Sequence, residues 1–188
     1  MRFLYTVLAG FFPPRVESCA EIDAGRRVRV QGEVVARDLI ESTLTGERCV
    51  YYQYTVEEFR RSSSVGLGDG HWRLIERDEA IAEFYLVSGG ARVIVSPAHA
   101  KVSRGRSIPV QAIDLGGIHD RRAQEMRIGP GDIIEIYGVA ETAHDIYDEG
   151  RDYRAPLDRL MLTAPPGDHL RIRLVRRARN RRRDSAAG

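Results

Sequence analysis

Glu47 to Arg61 reads ERCVYYQYTVEEFRR. Val50, Tyr51, Tyr52, Tyr54, Val56 and Phe59 make this run too aromatic and too β-branched for a loop, and it predicts one long strand. Side chains alternate along a strand. Cys49, Tyr51, Gln53, Thr55, Glu57 and Phe59 are therefore expected on one face, and Val50, Tyr52, Tyr54, Val56 and Glu58 on the other. Both faces are apolar at the start and polar near the end, the pattern of a strand covered on both sides early and reaching solvent late.

The sequence around it is rich in further strands. Arg26 to Ala36 (RRVRVQGEVVA) alternates Val28 and Val30 with Arg27, Arg29 and Gln31, and Gly32 interrupts it where a bulge or sharp bend fits. Arg37 to Gly46 links the two strands. Ser62 to His71 (SSSVGLGDGH) reads as a flexible hairpin loop, and Trp72 to Glu76 begins the returning strand. Phe84 to Val87 and Ala91 to Ser96, joined by Ser88-Gly89-Gly90, form a second predicted hairpin that Pro97 ends. Residues 97–124 are poorly periodic and are expected to be a long excursion with room for one short helix. A turn at Gly129-Pro130-Gly131-Asp132 introduces Ile133 to Ala143 (IIEIYGVAETA), interrupted by Gly138, and Leu160 to Thr163 is expected to be the last strand. After Pro165-Pro166-Gly167, Asp168 is placed to cap a terminal helix from His169 to about Arg182, with Leu170, Leu174, Val175 and Ala178 on one side.

A chain of 188 residues, 43% hydrophobic and 30% charged, can bury one good core and has a globular balance. The pattern divides it into an apolar N-terminal segment and linker (1–25), a β-domain (26–167), and a basic helix and tail (168–188). Residues 1–170 carry 21 basic against 26 acidic side chains, whereas Arg171 to Arg183 holds eight arginines, so the basic character belongs to the tail. Two cysteines, Cys19 and Cys49, are too few for a disulfide framework, which points to a reducing, cytoplasmic compartment. Phe3 to Phe12 (FLYTVLAGFF) is roughly half the length of a membrane-spanning helix. It is expected to dock on the domain or to anchor peripherally at a membrane, because Phe3, Leu4, Val7, Leu8, Phe11 and Phe12 share one helical side. A signal peptide is disfavoured, since Phe11-Phe12-Pro13-Pro14 stands where a small-residue cleavage site would be.

Taken together, these segments resemble the GIDE, or beside-a-membrane, domain, known from mitochondrial RING-type ubiquitin ligases and from many bacterial proteins. The resemblance runs over about residues 26–175. Its most specific pieces are Gly46 to Tyr52 (G-E-R-C-V-Y-Y) and Pro130 to Gly138 (P-G-D-I-I-E-I-Y-G). It implies a membrane-associated interaction domain, but two features depart from the family. Flanking transmembrane helices are missing from the pattern, and a RING needs about eight Cys and His ligands to close two zinc sites. This sequence offers two Cys and five scattered His (His71, His99, His119, His144, His169), so no ubiquitin-ligase chemistry is carried over.

Other chemistry is equally sparse. No Cys or His pair has ligand spacing, and no metal or cofactor is expected. No G-x-S-x-G motif accompanies the serines, and Ser62, Ser63 and Ser64 sit in a loop. Gly66-Leu67-Gly68-Asp69-Gly70 looks like a phosphate loop but leads into a strand and lacks the lysine, so it reads as a hairpin tip. Glu57 and Glu58 point to opposite faces and cannot share a proton. The one charge feature above background is Arg171, Arg173, Arg176, Arg177, Arg179, Arg181, Arg182 and Arg183, suited to an anionic membrane, an acidic protein or nucleic-acid phosphates. On a helix end the same cations would also suit the dipole.

The sequence therefore predicts a mainly β chain, a small OB-like β-barrel with a long excursion and a C-terminal basic helix. The expected function is a non-catalytic interaction module that engages a protein or membrane-associated partner through His71, Trp72 and the eight tail arginines. The alternatives are a nucleic-acid-binding OB-like protein and an enzyme of unrecognised type. No small-molecule substrate is predicted.

Overall fold

A computed structural model describes residues 15–61, 70–104, 111–114, 121–144 and 158–178. The expected N-terminal anchor, the tip of the first hairpin and Arg179, Arg181, Arg182 and Arg183 lie outside these residues. The described chain forms strands β1 (Val16–Glu17), β2 (Arg27–Ala36), β3 (Ile40–Glu41), β4 (Arg48–Cys49), β5 (Tyr51–Arg61), β6 (Gly70–Ile81) and β7 (Phe84–Ser88). There follow β8 (Ala91–Val95), β9 (Ala100–Arg104), β10 (Gln111–Asp114), β11 (Arg121–Ile128), β12 (Ile133–His144), β13 (Asp158–Thr163) and β14 (Leu170–Arg176).

Five of these strands close a barrel in the order β2-β7-β8-β13-β12, with β12 returning to pair antiparallel with β2. All its pairings are antiparallel except β8 with β13. This is the small, OB-like barrel expected from the sequence. Alternation fills it. Val28, Val30 and Val34 of β2 and Ile134, Ile136 and Ala140 of β12 are buried together with Phe84, Leu86, Val93, Val95 and Leu162.

Closure depends on two inward-facing glycines. Gly32 lies where β2 passes from pairing with β1 to pairing with β7, and Gly138 where β12 passes from β14 to β13. A Cβ on Gly32 would fall 2.7 Å from the Val87 carbonyl oxygen, and one on Gly138 would fall 2.6 Å from that of Thr163. The strands coil so tightly there that a neighbour's backbone fills the space of a side chain. The β7–β8 hairpin turns on Gly89 and Gly90, both at positive φ, as a two-residue connection requires.

Two expectations are corrected. The terminal helix from His169 is, over Leu170–Arg176, a strand hydrogen-bonded to β12 on one side and β9 on the other. Leu170, Ile172 and Leu174 enter the barrel core with period 2. The excursion after Pro97 contains β9, β10 and the start of β11, and its described residues include no helix.

The opening stretch is also more than one straight strand. The chain breaks at Val50, whose amide donates to Ile128 and whose carbonyl accepts from Ala82. Val50 and Tyr51 consequently both enter the barrel core, whereas Cys49, Tyr52, Tyr54 and Val56 enter a second cluster with Ala123. Beyond Tyr51 the expected alternation holds. Strands β10-β11-β5-β6 form a second sheet. One face of it is rooted in the barrel through Tyr51, Met126 and Ile128. The same face runs outward through Thr55 and Gln124 and then Glu57 and Arg122 to Phe59.

The glycine account predicts that Gly32→Ala and Gly138→Ala each lower unfolding free energy by about 1–3 kcal/mol through forced overpacking. Gly129→Ala, which meets nothing within 4 Å, should stay within about 0.5 kcal/mol. Urea titrations check this, and equal midpoints for all three would contradict it.

Candidate functional site

Of the four nominated arginines among the described residues, three are engaged with acids of β12 and of the turns that precede β12 and β14. Arg171 bonds Asp168 at 2.9 Å and lies 5.8 Å from the centroid of the Tyr137 ring. The His169 amide and then the Arg171 guanidinium hold the Asp168 carboxyl below its ordinary range. Arg173 and Arg29 both bond Glu135 at 3.0 Å, one from each flanking strand. Arg177 bonds Asp132 at 3.1 Å, and the buried Asp132 also accepts the amides of Gly129 and Ala178. This carboxylate fastens the end of β14 onto the 129–132 turn. Arg176 is exposed and forms no ion pair among the described residues. Arg177 is therefore a structural clamp, and Arg171 and Arg173 are in good part internally neutralised.

A second set of charges joins the 42–47 turn to β11 of the second sheet. Glu125 has a side-chain exposure of 0%, yet accepts from the Leu44 amide at 2.8 Å, the Thr45 hydroxyl at 2.8 Å and Arg127 at 3.0 Å. Arg127 also binds Glu47, whose carboxyl it holds low. The 42–47 turn is thereby tied across the Cys49–Tyr52–Tyr54 cluster.

The other nominated residues, His71 and Trp72, lie on β6, away from β14 and in a different sheet. Among the described residues the strand is an edge, paired only with β5, and every residue from His71 to Glu79 is exposed. Trp72 stands directly across from Phe59, their ring centroids 5.4 Å apart at a 59° tilt. The Arg122 guanidinium lies 4.1 Å over the indole and is held by Glu57 at 2.7 Å. Phe59 in turn occupies the space a side chain would take at Gly70. Although braced by a ring and a cation, Trp72 remains 38% exposed, next to Leu74 at 50% and Ile75 at 41%. His71 faces the opposite side, with Arg60 and Glu58. Phe59 and Arg122 were not nominated as binding residues. Their local signal is slight, because each meets Trp72 only through strand pairing.

The shifted groups among the described residues owe their shifts to burial and to local hydrogen bonds. Burial pushes the Cys49 thiol up to about 11 and raises Cys19, Tyr51 and Tyr54, while hydrogen bonds from the Tyr52 hydroxyl and Thr43 lower Asp78. These shifts lead away from neutrality, where a general base would be tuned. Among the described residues no group of three or more His, Cys, Asp or Glu side chains could hold a metal ion. No described helix is long and apolar enough to cross a membrane. Compared with models of known protein families, with curated proteins and with solved structures, the chain matches none.

Arg177→Ala strips the buried Asp132 of its charged donor and should cost on the order of 1 kcal/mol, discounted for the partial exposure of the arginine. Arg176→Ala should cost less than about 0.5 kcal/mol. Denaturant midpoints distinguish them, and equal losses would contradict the clamp.

Proposed function

We propose that this chain is a non-catalytic interaction module, related to the GIDE domain but without its RING, that engages a protein partner through the β5–β6 ribbon. The observation that carries this reading is the braced yet exposed Trp72, followed by Leu74 and Ile75, on an open strand edge. Rigidly held aromatics serve as anchors at interfaces. Covering these three side chains would add several kcal/mol of apolar burial at about 25 cal/mol per Å². An unpaired edge also offers backbone donors and acceptors to an incoming strand.

The segments that carry the family resemblance fall on β2, β4, β5, β6, β7, β8 and β12, which include four of the five barrel strands and the ribbon itself. For a nucleic-acid reading, three of the four tail arginines among the described residues draw less support, since Asp168, Glu135 and Asp132 already hold Arg171, Arg173 and Arg177.

The test compares proteins that co-purify from native cells with the full chain, with the Trp72→Ala/Leu74→Ser variant and with the Arg171→Ala/Arg173→Ala variant. The ribbon variant should lose a specific partner at least tenfold and the arginine variant should keep it. Loss with the arginine variant alone, or retention of single-stranded nucleic acid as the sole ligand at about 50 mM salt, would contradict the reading.

A further inference from the structure

The edge that β6 leaves open is self-complementary, and this inference, which rests on the reading of β6 as a docking edge, names its occupant. We propose that β6 pairs antiparallel with β6 of a second copy of this chain, about a twofold axis between Leu74 and Ile75.

The central four residues, Arg73, Leu74, Ile75 and Glu76, are exposed. Neither Arg73 nor Glu76 forms an ion pair among the described residues. Their neighbours on β5 and β11 are paired within the sheet: Arg121 and Arg60 with Glu58, and Arg122 with Glu57. Among the described residues of this edge, Arg73, Glu76 and Asp78 form no ion pair, Asp78 being held instead by the Thr43 and Tyr52 hydroxyls, and Arg73 and Glu76 stand on either side of an apolar centre. A twofold axis through that centre sets Arg73 of each copy against Glu76 of the other and Leu74 against Ile75. One step outward it sets Trp72 against Arg77 and His71 against Asp78.

The bulge makes this register geometrically sound. Residues that face each other across an antiparallel pair must lie on the same side of the sheet. In a regular strand Arg73 and Glu76, three apart, would point to opposite sides. On β6 the register against β5 shifts between Val56 and Glu57, so that Glu76 faces Val56, Leu74 faces Glu57 and Ile75 is the extra residue. Arg73 shares the side of Glu58, and Glu76 the side of Val56. Both therefore lie on one face. Trp72 and Arg77 likewise share the face of Phe59 and Thr55. A twofold pair uses each contact twice, so a single charge reversal acts at two places.

The test is the mass in solution of the full chain at about 100 μM, where dimers of roughly 10 μM affinity are populated. The wild type should show twice the 21.2 kDa chain mass. Arg73→Glu alone and Glu76→Arg alone should each weaken association at least tenfold. An equimolar mixture of the two variants should dimerise, because the mixed pair restores both attractions. Unchanged circular dichroism in each variant keeps loss of folding from imitating loss of pairing. A monomeric wild type, or a dimer untouched by either reversal, overturns the proposal. A monomer that still loses its co-purifying partner on Trp72→Ala/Leu74→Ser overturns the self-pairing and leaves the interaction module standing.

Discussion

Everything in this chain hangs on the pairing of β2 with β12, and that pairing depends on the two glycines that let both strands coil. Gly32 faces Ile134 and Gly138 faces Val28, so the glycines sit symmetrically about the Val30–Ile136 pair. Each marks the place where its strand changes partner, and each has a neighbour's carbonyl oxygen where a Cβ would stand. Without that coiling, five strands would form an open sheet with two edges. With it, the barrel edges vanish and the remaining strands are added from outside.

What is added is held by buried acids. Glu125, Asp132 and Glu135 each take donors from segments distant in sequence, Leu44 and Thr45 for the first, Arg177 and Ala178 for the second, Arg29 and Arg173 for the third, and the first two also take a local donor, Arg127 and the Gly129 amide. A buried carboxylate is costly unless its lone pairs are met, and here two or three donors meet each one. The same economy engages two of the three arginines of β14, Arg171 with Asp168 and Arg173 with Glu135. The β6 edge has exposed apolar side chains at its centre, and Arg73 and Glu76 beside them form no ion pair among the described residues.

Much of the barrel was legible in the sequence because its signals are local. The Val-x-Val alternation of β2, the Gly-Gly turn of the β7–β8 hairpin and the Gly-Pro-Gly-Asp turn before β12 each work within a few residues. The C-terminal strand was misread for a definable reason. Leu170 and Leu174 are four apart, a spacing that belongs both to a helix side and to one face of a strand, and only Ile172 between them separates the two. Asp168 does bond the His169 amide, as a cap would, but in a turn ahead of β14. β11 was hidden because its buried positions include Glu125, whose partners Leu44 and Thr45 lie some 80 residues away. Trp72 stood out by type, whereas Phe59 and Arg122 become part of its setting only once β5, β6 and β11 are side by side.

Amide hydrogen exchange along β6, measured on the full chain at about 1 μM and about 100 μM, addresses the open edge most directly. The account predicts slower exchange at the higher concentration confined to residues 70–79, with β14 and the barrel strands unchanged. Exchange in β6 that is fast and independent of concentration, or slowing that appears on β14 instead, would contradict it.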